Sequence, residues 1–185
     1  MHHTRSILAT LCLFAALAPV VRAAEPELAD KPVLKNGCSI QFPKNWGTDS
    51  VAGAAAFVFA TAPTPDVHGG QEQAATLNIS RIALAKADLM ALAKDYQTRM
   101  AKDAQAQNYK AVDPPAEVNL NGAKGVSFGG TYTAQGKNLR SRQWLVAAPG
   151  RVYILTLTAL STAWDTRLPA GQASVETFRV LDEKK

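Results

Sequence analysis

Cysteine is almost absent from this sequence. It occurs twice in 185 residues, as Cys12 and Cys38. Cys12 lies inside an N-terminal apolar run. Once that run is removed, one thiol remains and no internal disulfide can form. Cys38 sits at a strand start, where a small buried residue is the expected role. Histidine is equally scarce: His2 and His3 precede the apolar run, and only His68 follows it. Zinc asks for three or four Cys, His or carboxylate ligands, and the loop set Asp66, His68 and Glu72 is the one spacing on offer. A Ser–His–acid triad has His68 as its single base and lacks the G-x-S-x-G elbow. The calcium-loop pattern and the Gly-rich phosphate loop are missing too. The acids Asp88, Asp95 and Asp103 share a Lys- and Arg-rich helix, where solvation is their ordinary role. Neither a cofactor nor a metal is expected, and an enzymatic role is not the leading reading.

Also missing is an apolar stretch of the roughly 20 residues that span a bilayer. The start, MHHTRSILATLCLFAALAPVVRAAE, has a basic Arg5 and an apolar run from Ile7 to Val21. Val21 and Ala23 suit a cleavage site before Ala24. This pattern is a secretory signal peptide. No cysteine follows the run to carry a lipid, so no stable membrane anchor is expected after cleavage. The expected organisation is a signal peptide over 1–23, a flexible leader over 24–35 and a single domain over 36–185. The expected location is the periplasm. Of the 20 basic residues only Arg5 and Arg22 leave with the signal, and no acid does, so the formal charge falls from +5 to +3. That mild excess does not call for nucleic acid.

What remains is patterned. Asn36-Gly37 marks a turn and CSIQF a first strand; KNWGTDSVAG reads as a loop. Strands follow over 54–62 and 75–83, separated by PTPDVHGGQEQ, whose Pro and Gly resist regular structure. Residues 86–107 carry Leu89, Leu92, Ala93, Tyr96, Met100 and Ala104 at helical spacing, which predicts a helix with one buried side. YKAVDPPAEVNL, with Pro114-Pro115, reads as two short extended pieces or a bulged edge strand. Strands over 125–134, 139–149 and 151–160 follow, joined by QGKN and Pro149-Gly150, and form a meander. The last of them is apolar on both faces, which predicts cover on both. A short terminal helix starting near Ser174 is expected, with Phe178 and Leu181 facing the sheet; a terminal strand is the alternative. The order predicts an α+β fold, an antiparallel β-sheet with packed helices.

Three stretches, in this order and spacing, resemble the PsbP-like fold family. CSIQFPKNWG looks like its opening strand and turn. ATLNISRI is similar to the strand before its first helix. GKNLRSRQWLVAAPGRVYILTLTAL is similar to its paired strands. The family includes an accessory subunit of photosystem II, a Ran-binding nuclear import factor and bacterial DcrB-like exported proteins. The resemblance spans residues 36–181. It implies an α/β/α sandwich and adaptor work rather than a defined chemistry, since a fold does not fix a function.

Binding surfaces are the better candidates. Arg140, Arg142 and Trp144 alternate along one strand and so share a face. Two guanidiniums beside an indole suit an anionic or peptide contact; the structural alternative is a core Trp144 with the arginines clearing the sheet edge in water. Trp46 with Lys44 and Asn45, His68 with Gln71, and Trp164 with Arg167 are loop candidates that would grip a small ligand; the structural alternative for Trp46 is a plug folded back at the sheet's end. The leading expectation is a non-catalytic periplasmic accessory or protein-binding protein with an envelope protein partner. The alternatives are a small-molecule or lipid carrier and, third, an envelope hydrolase.

Overall fold

A computed structural model describes residues 26–49, 56–61, 75–84, 86 and 88–181. Its strands and helices run in the order β1 (Val33–Lys35), β2 (Cys38–Ile40), β3 (Gly47–Asp49), β4 (Ala56–Thr61), β5 (Ala75–Ala83), α1 (Leu89–Met100), β6 (Gln107–Leu120), β7 (Ala123–Ala134), β8 (Lys137–Ala148), β9 (Arg151–Leu160), α2 (Trp164–Glu176) and β10 (Arg179–Val180). Seven strands pair antiparallel in the order β3-β4-β5-β9-β8-β7-β6. A small antiparallel sheet has the order β1-β2-β10. The fold is α+β, with α1 and α2 on opposite faces of the large sheet.

The meander from β6 to β9 is set by its turns. Asn121 and Gly122 have φ of 50° and 86°, and Gln135 and Gly136 have 51° and 74°. Two consecutive positive φ values give the twist that matches two-residue hairpins. Because register fixes facing, alternate residues then separate into two cores. On the α2 side, Trp144, Val146, Tyr153, Leu155, Leu157, Leu77 and Ile79 are buried, joined by Ile40, Phe42 and Phe178 from the small sheet and its flanks. On the α1 side, Val126, Phe128, Leu145 and Val152 meet Ala93, with Tyr96 edge-on to Phe128 at 5.4 Å.

Several expectations change. Residues 26–35 are tied to the domain rather than forming part of a flexible leader. The Ala29 amide donates to the Phe42 carbonyl at 2.8 Å, and the Lys44 amide to Glu27 at 2.9 Å. Leu28 bridges Pro43, and Val33 packs on the core. Gly47–Asp49 is a strand rather than loop, pairing with β4. The first helix stops at Met100, not 107, and Ala104 is exposed. Asp103 is the physical reason: its carboxylate accepts from the Gln105 amide at 2.8 Å, and its carbonyl from Ala106 at 3.1 Å. A side chain that captures its own backbone competes with the helix ladder.

Strand β9 is not apolar on both sides. Thr156 and Thr158 alternate with buried Leu155 and Leu157 and are only half-buried. Helix α1 packs mainly on β6, β7 and β8 and meets β9 only at its near end, around Val152 and Ile154. The final helix begins ten residues before Ser174, at Trp164, and Ser174 lies near its end. A two-residue strand follows it. Phe178 faces the core as expected, but Leu181 is 36% exposed. The segment PTPDVHGGQEQ, with Asp66, His68, Gln71 and Glu72, lies outside the described residues.

Helix α2 reaches its sheet through Gly171. A Cβ there would lie 2.6 Å from Cδ2 of Leu157, which is fully buried. Alanine in place of glycine gains about 1 kcal/mol of helix propensity. Overpacking a filled core costs about 1–3 kcal/mol, so the clash should win. Gly171→Ala is expected to lower the urea midpoint, and Leu157→Ala should then cost less in that background than alone. A double-mutant cycle by urea unfolding measures both.

Candidate functional site

All five candidate residues come to the α2 side of the sheet. Trp144 stands on β8 at 4% exposure, Trp164 opens α2 at 2%, and Trp46 enters the same core from the turn before β3 at 6%. The turn itself follows from the sequence FPKNWG. Phe42 is buried, and the Trp46 amide donates back to the Pro43 carbonyl at 2.9 Å. The indoles are therefore core: Trp46 and Trp144 take the structural alternative, and the rings themselves offer no contact surface. A ring of this size, with only one N–H, is better placed in a filled interior than against water.

Over two of those rings lie the guanidiniums of Arg140 and Arg142, whose side chains are only partly buried. Arg140 Cζ is 4.9 Å from the centroid of Trp164, and Arg142 Cζ is 5.5 Å from that of Trp144. Both Nε atoms are buried and, among the described residues, have no hydrogen-bond partner; the same holds for Trp164 Nε1. An electron-rich ring face stands in for a conventional acceptor here and attracts the cation. The remaining nitrogens point to other partners. Arg140 meets both carboxylate oxygens of Asp113 at 3.4 and 3.5 Å, with the two side chains 31% and 33% exposed. Arg142 has a 3.5 Å contact to Ser127 Oγ, and no carboxylate pairs with it among the described residues.

Asp113 is not a candidate in the sequence, and nothing there ties Ser127 or Gly129 to the arginine face. Gly129 is opposite both Asp113 on β6 and Arg142 on β8. A Cβ there would lie 2.6 Å from Asp113 Oδ2. The missing side chain lets a carboxylate from β6 reach across β7 to a guanidinium on β8. Asp113 itself sits between register shifts on either side, just before Pro114-Pro115. Such irregularity defeats a period-two reading of which face the carboxylate takes.

The loop candidates partly converge. Lys44, Asn45 and Trp46 share a groove of about 320 Å³ with Arg167, Pro43 and Pro26. Beside it, Pro26, Leu28, Leu168, Pro169, Ala173 and Thr177 line a groove of about 670 Å³ along the outside of α2. Among the described residues, no three His, Cys, Asp or Glu side chains gather in a metal-binding cluster, and no helix is long and apolar enough to cross a membrane.

Cys38 is sealed in the core, its Sγ donating to the Lys35 carbonyl at 3.2 Å. Burial pushes its thiol up to about 11, against a smaller opposing pull from Arg151 and Arg81. At neutral pH it is a protonated thiol and a poor nucleophile. A raised pKa in the folded state means stability is intact below the ordinary value near 9 and is lost as pH climbs towards 11. Burial raises Tyr96 and Tyr132 in the same direction at still higher pH. Urea midpoints should therefore fall between pH 9 and 11, and Cys38→Ala should flatten that fall. An unchanged slope in the variant would remove the thiol as its cause.

No family model matches the sequence, and no curated protein matches it. Solved structures do. Cyanobacterial PsbP from Synechocystis sp. PCC 6803 superposes with a TM-score of 0.57 at 15% identity, covering 88% of this chain and 96% of its own. LpqN of Mycobacterium tuberculosis, involved in cell envelope biogenesis, gives 0.59 at 18%, covering 84% and 92%. A Pseudomonas aeruginosa protein of unknown function, a putative regulator, gives 0.51 at 19%, covering 86% and 99%. At these identities the likeness establishes the PsbP-like fold alone.

Proposed function

We propose that this chain is a non-catalytic accessory protein of the periplasm, akin to DcrB-like exported proteins, that binds another envelope protein. The export reading rests on the N-terminal pattern, with cleavage between Ala23 and Ala24. The binding reading rests on one observation: Arg140 and Arg142 each lie over a buried indole while their side chains stay only partly buried. A guanidinium whose stem is already fixed loses little freedom when it meets a partner. The neighbouring edge strand β6 is bulged and carries two prolines, which blocks simple strand addition. Recognition is therefore by side chains on the sheet face.

The α2 groove supports a second reading, a carrier of a small apolar ligand. Its walls are mostly Pro, Leu and Ala, as in sites that hold apolar molecules. Mass spectrometry of the gently purified protein separates the two readings, since a carrier should bring a bound lipid-sized molecule with it. Pull-down from envelope extract should recover a discrete protein with the wild type and much less with Arg142→Ala at equal thermal stability. Equal recovery by the two forms would count against the arginine face, and recovery of nothing in several detergents would count against the accessory role.

A further inference from the structure

The arginine face carries two fixed cations and one carboxylate. Arg140 has Asp113, whereas Arg142 has only the Ser127 hydroxyl at 3.5 Å. We propose that the face binds a carboxylate side chain from an acidic segment of a partner protein, and that Asp113 is an internal stand-in which competes for it. This rests on the binding reading given above and specifies its chemistry.

Three observations carry the inference. First, Asp113 shows that a carboxylate fits over Gly129 against the Arg140 guanidinium, because the glycine leaves the space and an added Cβ would take it. Second, Asp113 holds Arg140 loosely. Its contacts of 3.4 and 3.5 Å exceed the 2.7–2.9 Å of a strong charge-assisted bond, and both side chains are about one-third exposed. A better-aligned carboxylate can displace it. Third, the charge is unbalanced by one. Arg142 is directly opposite Gly129 and two residues from Arg140 on the same face. It offers a planar fork with no acid to fill it among the described residues. One remaining positive charge matches one carboxylate better than the two charges of a phosphate monoester.

The competition sets the sign of a test. Removing the Asp113 charge leaves two unfilled guanidiniums, so Asp113→Asn should bind an acidic peptide more tightly. A purely structural Asp113 would give no gain. Arg142→Lys keeps the charge but loses the fork, and should bind more weakly.

The experiment titrates purified protein into fluorescein-labelled hexaglutamate and reads fluorescence anisotropy. Inorganic phosphate and phosphatidylglycerol vesicles serve as parallel probes. Wild type should bind hexaglutamate saturably. Asp113→Asn should tighten it roughly three- to tenfold, the scale of a half-exposed charge. Arg142→Lys should weaken it roughly tenfold. Arg99→Lys, a change in a cation paired with Asp95 on α1, should leave it unchanged. Thermal melting checks folding, and Asp113→Ser replaces Asp113→Asn if the latter unfolds. The idea is overturned if wild type does not bind hexaglutamate, or if the folded Asp113 variant binds no better. It is also overturned if phosphate or the vesicles compete more strongly than unlabelled hexaglutamate. None of these readings depends on recovering a natural partner, so a failed pull-down and a failed titration are distinguishable.

Discussion

Arg140 lies between two elements that would otherwise not meet. Its guanidinium covers the first residue of α2, Trp164, on one side and reaches Asp113 of the edge strand β6 on the other. The helix, the inner strand β8 and the sheet edge are linked through one side chain. Arg142 repeats the arrangement one step along, on Trp144. Two partly buried cations over buried rings form this corner of the domain.

Magnitudes separate what holds the fold from what shapes its surface. A buried aromatic ring removes about 150–250 Å² from water, about 4–6 kcal/mol at 25 cal/mol per Å². Three tryptophans are buried in this core. A cation over a ring contributes about 0.5–2 kcal/mol, and a half-exposed ion pair about 1 kcal/mol or less. The indoles therefore hold α2 and β8 together. The arginines add little to stability, but the rings beneath restrict where they lie. Gly129 and Gly171 act similarly as absences. One admits the carboxylate over β7, and the other admits α2 onto Leu157.

The parts legible in the sequence were those set by local chemistry. The strands over 75–83 and 151–160 have the expected bounds, because their alternation and flanking turns agree. The Asn-Gly turn and the bulged character of β6 were legible from Asn121-Gly122 and Pro114-Pro115. The shared face of Arg140, Arg142 and Trp144 followed from strand periodicity. Three other features depended on distant partners. Trp164 reads as loop until Leu157 accepts Gly171 and α2 settles on the sheet. The strip around Leu28 looks like a leader until Pro43 pairs with it. Asp113 could not be placed on the arginine face, because the bulges on both sides erase the period that would have shown where it points.

The account turns on guanidiniums immobilised against buried rings. Hydrogen exchange of the Arg140 and Arg142 Nε–H and the Trp144 and Trp164 indole N–H groups, followed by ¹⁵N NMR, tests that most directly. Stacked and shielded arginines should give separate Nε–H signals displaced from the free-arginine position, exchanging far more slowly than that of exposed Arg99. Signals for Arg140 and Arg142 that coincide with Arg99 and exchange as fast would contradict the account.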